Sequence, residues 1–328
     1  MQTTALMRAP CSLFRVEKMV YSRPSRVRLC SPSRKALGIK ARRPARGVVV
    51  AQSGRETLVK FPYNYRQVTL QCQEAVKSAL ADGHKLIEVE FPSLGLDTVP
   101  GDSEGVNEMN ESAMLLRQFC TMFEKSEAVH QAEHVRVYFP DPKELEVATA
   151  PASGMNMSGG KWETSPTFSD TAFQLDFLTK PTALLELGID LNAKLQDRVR
   201  PEDEIFISAY PSFNVNEMIA VEELHRTTAN GRPIITYNGE LDRIRSGYYP
   251  KFFYPKLGKL AESFIPKFEQ AYYIHNFKGA RGGVLFRAYP GPWQVLKRTN
   301  DSGDTVVIHT QDAMPTLKEV ALDILLRA

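Results

Sequence analysis

The sequence predicts an α/β fold in which a mixed sheet carries parallel β-α-β units in its first part and an antiparallel meander near the C-terminus, with helices flanking. Two observations predict it. Helical and strand-like apolar patterns alternate from Gln67 to Phe139 and again from Ile205 to Tyr237. After Tyr272 come four short strand-like segments whose connecting turns are rich in Gly, Pro and Asn, the spacing that suits antiparallel neighbours.

The elements follow in order. Val68, Cys72, Ala75, Val76, Ala79 and Leu80 recur at helical spacing, and Gly83 supplies the left-handed stop. Ile87, Val89 and Phe91 alternate with Glu88 and Glu90, which predicts a half-buried strand with an acidic outer face. Met109, Ala113, Leu116, Cys120 and Phe123 mark a second helix, and Val135, Val137 and Phe139 a second strand. This β-α-β order predicts a parallel pair with a right-handed crossover. Residues 148–166 are small, polar and Gly/Ser-rich and read as an exposed insertion. Phe173 to Phe177 reads as a short strand and Leu184 to Leu195 as a short helix. Ile205 to Tyr210 is an apolar strand, followed by Asn214 as a helix cap with Glu217 reaching back to it. Met218, Val221 and Leu224 give a helical face that Asn230-Gly231 ends, and Ile234, Ile235 and Tyr237 form the next strand. The meander comprises Tyr272 to Asn276, Val284 to Ala288, Trp293 to Lys297 and Thr305 to His309. Pro315 opens a closing helix with Leu317, Val320, Ala321, Ile324 and Leu325 on one face.

Charge divides the chain. The net charge is +3, yet residues 1–50 hold twelve Arg and Lys against the single acid Glu17. The remainder carries 29 basic and 37 acidic residues, a net charge of −8. The leader is Arg-rich and acid-poor, lacks the apolar stretch of a secretory signal, and is interrupted by Pro10, Pro24, Pro32 and Pro44. Residues 1–51 therefore read as a chloroplast transit peptide, and 56–328 as a single α/β domain. So acidic a domain is a poor candidate for general nucleic-acid binding, because phosphates are repelled except at a local basic patch. RNA binding through stacking aromatics and cations fits the run from Gly239 to Leu260 but not the overall charge. Of the four cysteines, Cys11 and Cys30 lie in the leader, while Cys72 and Cys120 fall within helical apolar patterns and read as core residues.

One local patch runs against the acidic background. From Gly239 to Leu260 the chain reads GELDRIRSGYYPKFFYPKLGKL, and five of the seven residues from Tyr248 to Tyr254 are aromatic. Arg243, Arg245, Tyr248, Tyr249, Lys251, Phe252, Phe253, Tyr254 and Lys256 together offer flat apolar faces and positive charge, the composition of recognition surfaces. The run leaves the carboxyl end of a predicted strand, where open α/β sheets bind ligands or partners. The alternative is a segment folded back on the sheet, its rings buried and its cations snorkelling outward. Lys278 and Arg281, flanking the GARGG turn, form a weaker anion-binding candidate, which a hairpin turn explains equally well.

No catalytic motif emerges. The phosphate loop, the dinucleotide G-x-G-x-x-G and the G-x-S-x-G elbow are missing. The Gly-rich stretch from Pro92 to Asn107 carries Asp97, Asp102 and Glu104, a poor phosphate cradle. His130 to His134 matches H-x-x-E-H, a zinc-peptidase signature, but His134 opens a strand where the signature needs a continuing helix. Asp176, Glu240 and Asp242 are possible acid/base groups, although local ion pairing with Arg243 and Arg245 accounts for the latter two. His275 reads as a satisfied strand histidine. No cofactor, no metal and no enzyme activity are expected.

Several blocks carry a family resemblance: EVEFPSLGLDTVPGD from Glu88, AYPSFNVNEM from Ala209, NGELDRIRSGYYPKFFYPKL from Asn238, YYIHNFKGARGGVLFRAYPGPWQVLKRT from Tyr272 and MPTLKEVALDIL from Met314. Together they resemble a plant and cyanobacterial family built on a domain of unknown function, which includes a chloroplast photosystem II assembly factor. The resemblance spans the chain from about Phe61 to the C-terminus. It implies an auxiliary factor in the chloroplast stroma or peripheral at the thylakoid membrane, assisting biogenesis of the chlorophyll-binding inner antenna subunit of photosystem II. The partners it implies are that subunit, another photosystem II assembly factor and the thylakoid membrane insertase. It supplies no catalytic residues. The competing expectation is a nucleotide- or phosphometabolite-binding enzyme or sensor at the strand end spanning 238–251, with Arg243, Arg245 and Lys251 gripping phosphate.

Overall fold

The computed structural model describes residues 58–99, 106–124, 129–155, 161–164, 166–180, 195–212, 216–279, 282–299 and 304–327. The expected leader, the Asn214 cap, all but the end of the helix from Leu184 to Leu195, and Arg281 lie outside the described residues.

Helix α1 (Tyr65–Ala81) begins where the Asn64 side chain accepts a hydrogen bond from the Gln67 amide, and Gly83 follows it at φ 87°. Strand β1 (Leu86–Glu90) leads to α2 (Val106–Cys120) and β2 (Val135–Phe139). The Asp141 carboxylate caps α3 (Pro142–Thr149), accepting from the Lys143 and Glu144 amides, while Pro142 stands at the first helical position. Strands β3 (Ala152–Met155) and β4 (Lys161–Thr164) pair as an antiparallel hairpin apart from the main sheet. The predicted insertion thus has structure of its own. Next come β5 (Gln174–Phe177), β6 (Ile205–Ala209), α4 (Glu217–Thr227) and β7 (Ile234–Tyr237). Asn216, not Asn214, is the residue at the cap of α4, its side chain makes no capping hydrogen bond, and Glu217 is buried. After β7 lie α5 (Leu241–Arg245) and α6 (Pro255–Ser263), then β8 (Glu269–Asn276), β9 (Gly283–Ala288), β10 (Trp293–Arg298) and β11 (Thr305–Gln311). The closing helix contains a π-helical turn, Val320–Ile324, between α-turns Leu317–Glu319 and Leu325–Arg327.

Nine strands form one sheet in the order β11-β10-β9-β8-β1-β7-β6-β2-β5. Every pairing from β8 to β5 is parallel, and every pairing from β8 to β11 is antiparallel. The mixed α/β fold is as predicted, and β8 is the strand where its two regimes meet. The β6-α4-β7 unit makes neighbouring parallel strands. The first unit does not. Strands β1 and β2 run in the same sense, but β7 and β6 stand between them, because the chain later returns to fill that gap.

Alternation along the strands sends side chains to two helical layers. Ile87, Val89, Val137, Ile207 and Ile235 pack in one cluster with Val68, Cys72, Val76 of α1 and Leu116, Phe119, Cys120 of α2. Leu86, Tyr138, Phe206 and Ile234 face the other layer, where Met218, Val221, Leu241, Ile244, Leu257 and Leu260 of α4, α5 and α6 cover them. A third cluster packs Val320 and Leu325 of the closing helix on Tyr273, Leu285, Trp293 and Val295. Strand β1 is therefore buried on both faces. Glu88, expected outside, is fully buried, because α5 and α6 cover the face on which water was expected. Cys72 and Cys120 are free thiols in the core, and burial pushes the pKa of both up.

Candidate functional site

The run after β7 is a helix–turn–helix whose two helices share an apolar face. Leu241 and Ile244 of α5 and Leu257 and Leu260 of α6 are all buried in the same cluster, at the spacing that aligns side chains on one side of a helix. Two left-handed residues turn the chain out of the sheet, Asn238 at φ 49° and Glu240 at φ 46°. Such backbone costs about 1–3 kcal/mol at a residue other than glycine and persists only where its surroundings fix it. Both have fixed partners. The Asn238 carboxamide accepts from the Phe91 amide at 3.0 Å, and the Glu240 amide donates to Glu90 Oε2 at 3.0 Å. The exit from β7 is thereby tied to the end of β1.

Arg245 faces inward. Its guanidinium grips Glu88 with both Nη atoms, Nη1 at 2.8 Å from Oε1 and Nη2 on Oε2, and Nη1 also donates to Asp242 Oδ1 at 3.0 Å. The Gln270 amide donates to Glu88 Oε2 at 3.1 Å, the Tyr273 hydroxyl donates to Asp242 Oδ2, and His275 Nδ1 lies 3.7 Å from the same oxygen. Burial works to lower the Arg245 pKa, but Glu88, hydrogen-bonded to it, and Asp242 push it up overall. Burial lowers the His275 pKa against the opposing pull of Asp242. Glu90, beside this cluster, is pushed well up by burial and by the charges of Glu88, Glu240 and Asp242.

Outward, the turn between α5 and α6 presents a ring cluster. Tyr248 is 71%, Phe252 88%, Phe253 73% and Tyr254 40% exposed, so four of the described chain's exposed large apolar side chains fall within seven residues. Tyr249 alone of the five rings packs against the core, and it touches Tyr248 and Tyr254 edge-to-face at centroid separations of 5.2 and 5.5 Å. Phe252 and Phe253 meet edge-to-face at 5.2 Å. The Phe253 and Tyr254 amides both donate to the Pro250 carbonyl at 3.0 Å, closing the turn. Lys251, Lys256 and Lys259, within and just after the rings in sequence, are exposed. The Lys251 stem crosses α6 at Gly258, where a Cβ would stand 2.9 Å from its Cγ, and its ammonium pairs with Glu262.

The predicted residues thus separate. Tyr248, Lys251, Phe252, Phe253 and Tyr254 share the exposed turn, Lys256 follows in the first turn of α6, and Arg243 lies half-exposed, paired with Glu240 at 2.7 Å. Arg245 and Tyr249 are the inner anchors. Arg243, Arg245 and Lys251 each engage a carboxylate of their own. A cleft beside Arg243, lined by Pro211, Met218, Glu240, Tyr249 and Leu257, measures about 20 Å³, room for about one water molecule. Lys278 is exposed in the β8–β9 hairpin, which the Gly282 amide closes onto the Gly279 carbonyl at 2.8 Å. Asp176, considered as an acid or base, is held by Arg198 and by Arg136 at 3.7 Å, and burial is the first cause of its raised pKa. Glu88 and Glu90 went unrecognised as the anchors of the run. Their signal was two acids on a strand that the sheet order makes central.

Among the described residues no helix is long and apolar enough to cross a membrane. Residues 62–322 match the model of a family described as a domain of unknown function, DUF1995. The chain belongs to this family. No curated protein and no solved structure matches it. The family match covers both halves of the sheet up to the closing helix and includes the whole of the aromatic turn.

Two outcomes follow from the inner anchors. Arg245→Ala leaves Glu88 buried and unpaired and lowers stability by about 3–5 kcal/mol, whereas Arg243→Ala changes it by less than about 0.5 kcal/mol; denaturant titration separates them, and equal costs would refute the inward placement. Glu90 has a raised folded pKa, so the folded state holds its proton more tightly than the unfolded state, and ionisation costs stability as pH rises above the unfolded value. Glu90→Gln is accordingly expected to raise the Tm, with a gain that grows from pH 5 to pH 8. A gain independent of pH, or a loss at pH 8, would contradict this.

Proposed function

We propose that the chain is an auxiliary factor for photosystem II assembly that assists biogenesis of the chlorophyll-binding inner antenna subunit by protein–protein binding at the stromal face of the thylakoid. The observation that carries the binding part of this reading is the exposed ring cluster of Tyr248, Phe252, Phe253 and Tyr254, rimmed by lysines. Fixed aromatic rings lose little entropy on contact and bury large areas, which is why they serve as anchors in interfaces. A monomeric surface seldom collects so many large apolar groups without a partner. The client part rests on the resemblance of the blocks from Glu88, Ala209, Asn238, Tyr272 and Met314 to the chloroplast protein Low PSII Accumulation 3, a finer kinship inside the family.

The basic rim suits a client or thylakoid surface of negative charge, and the acidic remainder confines the contact to one end of the sheet. Another photosystem II assembly factor and the thylakoid insertase complete the proposed set of partners, and the chloroplast stroma, with peripheral contact at the thylakoid, is the proposed location. The binding role needs no cofactor.

The test is a paired substitution that spares the core. Phe252→Glu with Phe253→Glu alters two exposed rings and leaves the Tm within about 2 °C, consistent with the small cost of surface changes. Affinity purification from solubilised thylakoids is expected to retain the inner antenna subunit on the wild-type chain and to lose at least about tenfold of it on the variant, a difference of about 1.4 kcal/mol. Equal retention by both would refute the site; retention of unrelated proteins alone by the wild type would refute the client.

A further inference from the structure

At the opposite end of the sheet, His130, His134 and Glu204 converge. Each offers one ligand atom, and these atoms all lie within 4.8 Å of one another. The strand register brings them together. Val135 of β2 pairs with Ile205 of β6, so His134 and Glu204, each one residue before its strand, are cross-strand neighbours, and the Glu204 amide donates to the His134 carbonyl at 2.7 Å. The His130 amide donates to Glu204 Oε2 at 3.0 Å, which fixes one carboxylate oxygen and turns the other toward the two imidazoles. Nδ1 of His130 lies 2.5 Å and Nδ1 of His134 3.0 Å from Glu204 Oε1.

We propose that His130, His134 and Glu204 bind a divalent transition-metal ion of the zinc class, with the remaining coordination position open to solvent. Two imidazoles and one carboxylate are a donor set that suits zinc and its neighbours and does not suit calcium or magnesium, which take oxygen ligands. Zinc binds imidazole nitrogen at about 2.0–2.1 Å and carboxylate oxygen at about 2.0–2.2 Å, which sets neighbouring ligand atoms about 3.3 Å apart on a tetrahedral ion. The two imidazole–carboxylate spacings open to that value by less than about 1 Å. His130, with 86% of its side chain exposed, can make that movement, while His134 and Glu204 are held by the strands. The site is not the peptidase site of the H-x-x-E-H signature. Ala132–His134 is a single 3₁₀ turn, where that signature needs both histidines on one continuing helix, and the third ligand, Glu204, comes from seventy residues further on. Bound metal would clamp the segment before β2 to the segment before β6.

The test uses the full chain stripped of metal by chelation, with zinc as the probe in equilibrium dialysis. Cys11 and Cys30 offer competing thiolates, so the readout is the difference between the wild type and His130→Ala, a substitution at an exposed side chain. The wild type is expected to bind one zinc more per chain than His130→Ala and to gain thermal stability from zinc that the variant does not. Cobalt(II) bound at this site is expected to show visible bands without thiolate charge-transfer absorption, and His134→Gln to abolish them. Equal zinc stoichiometry and affinity in the wild type and His130→Ala, or no zinc bound by the wild type at micromolar free metal, would overturn the proposal.

Discussion

The pairing of Arg245 with Glu88 is the constraint on which the described candidate surface depends. A carboxylate in the middle of the central strand β1 cannot stay charged in an apolar layer without a fixed counter-charge. Arg245 supplies it with both Nη atoms, Gln270 donates a further hydrogen bond to Glu88, and Asp242 accepts from Arg245 and from Tyr273. Because Arg245 ends α5, this cluster fixes where that helix lies and therefore where the following turn emerges. Two left-handed residues and the Glu90–Glu240 hydrogen bond hold the other end of α5 to the same strand. The aromatic turn is then projected from a rigid base.

This explains how so many rings can stand in water without collapsing onto the core. Leu241, Ile244, Tyr249, Leu257 and Leu260 already fill the layer beneath, and the edge-to-face contacts among Tyr248, Tyr249 and Tyr254 hold the upper rings apart. The proposed binding role draws on that rigidity, since an interface whose rings are ordered in advance loses less entropy on contact. The proposed metal site lies at the other end of the strands, before β2 and β6, so the two sites act on different surfaces.

The periodicity made the elements legible, because Val68 to Ala79 bury the helical face their spacing marks and the apolar run Ile234 to Tyr237 is a strand buried throughout. The order of strands was not legible. Period-two patterning fixes which face a residue takes and says nothing of which strand lies alongside, so β1 and β2 read as partners although β7 and β6 separate them. The same limit misplaced Glu88: an outward acid and an inward acid with a buried partner have identical spacing. In the candidate surface, the cluster of rings was legible from composition, and the division of its residues between exposed and packed was not. Tyr248 and Tyr249 are adjacent and identical in type, yet one is exposed and the other packed, which only the course of α5 and α6 decides. The spacing of Leu241, Ile244, Leu257 and Leu260 was the available signal of two short helices. His130 and His134 were visible as a motif, while Glu204 joined them only through the strand register.

The central claim is that the outward half of the run, and not the rest of the surface, meets the client. Site-specific photo-crosslinking tests it most directly, with the reactive side chain placed at position 252 in one chain and at position 70, an exposed leucine of α1, in another. Illumination with thylakoid membranes is predicted to give adducts to the inner antenna subunit or its assembly partners from position 252 and none of these from position 70. Adducts of the same pattern and yield from both positions, or from position 70 alone, would contradict it.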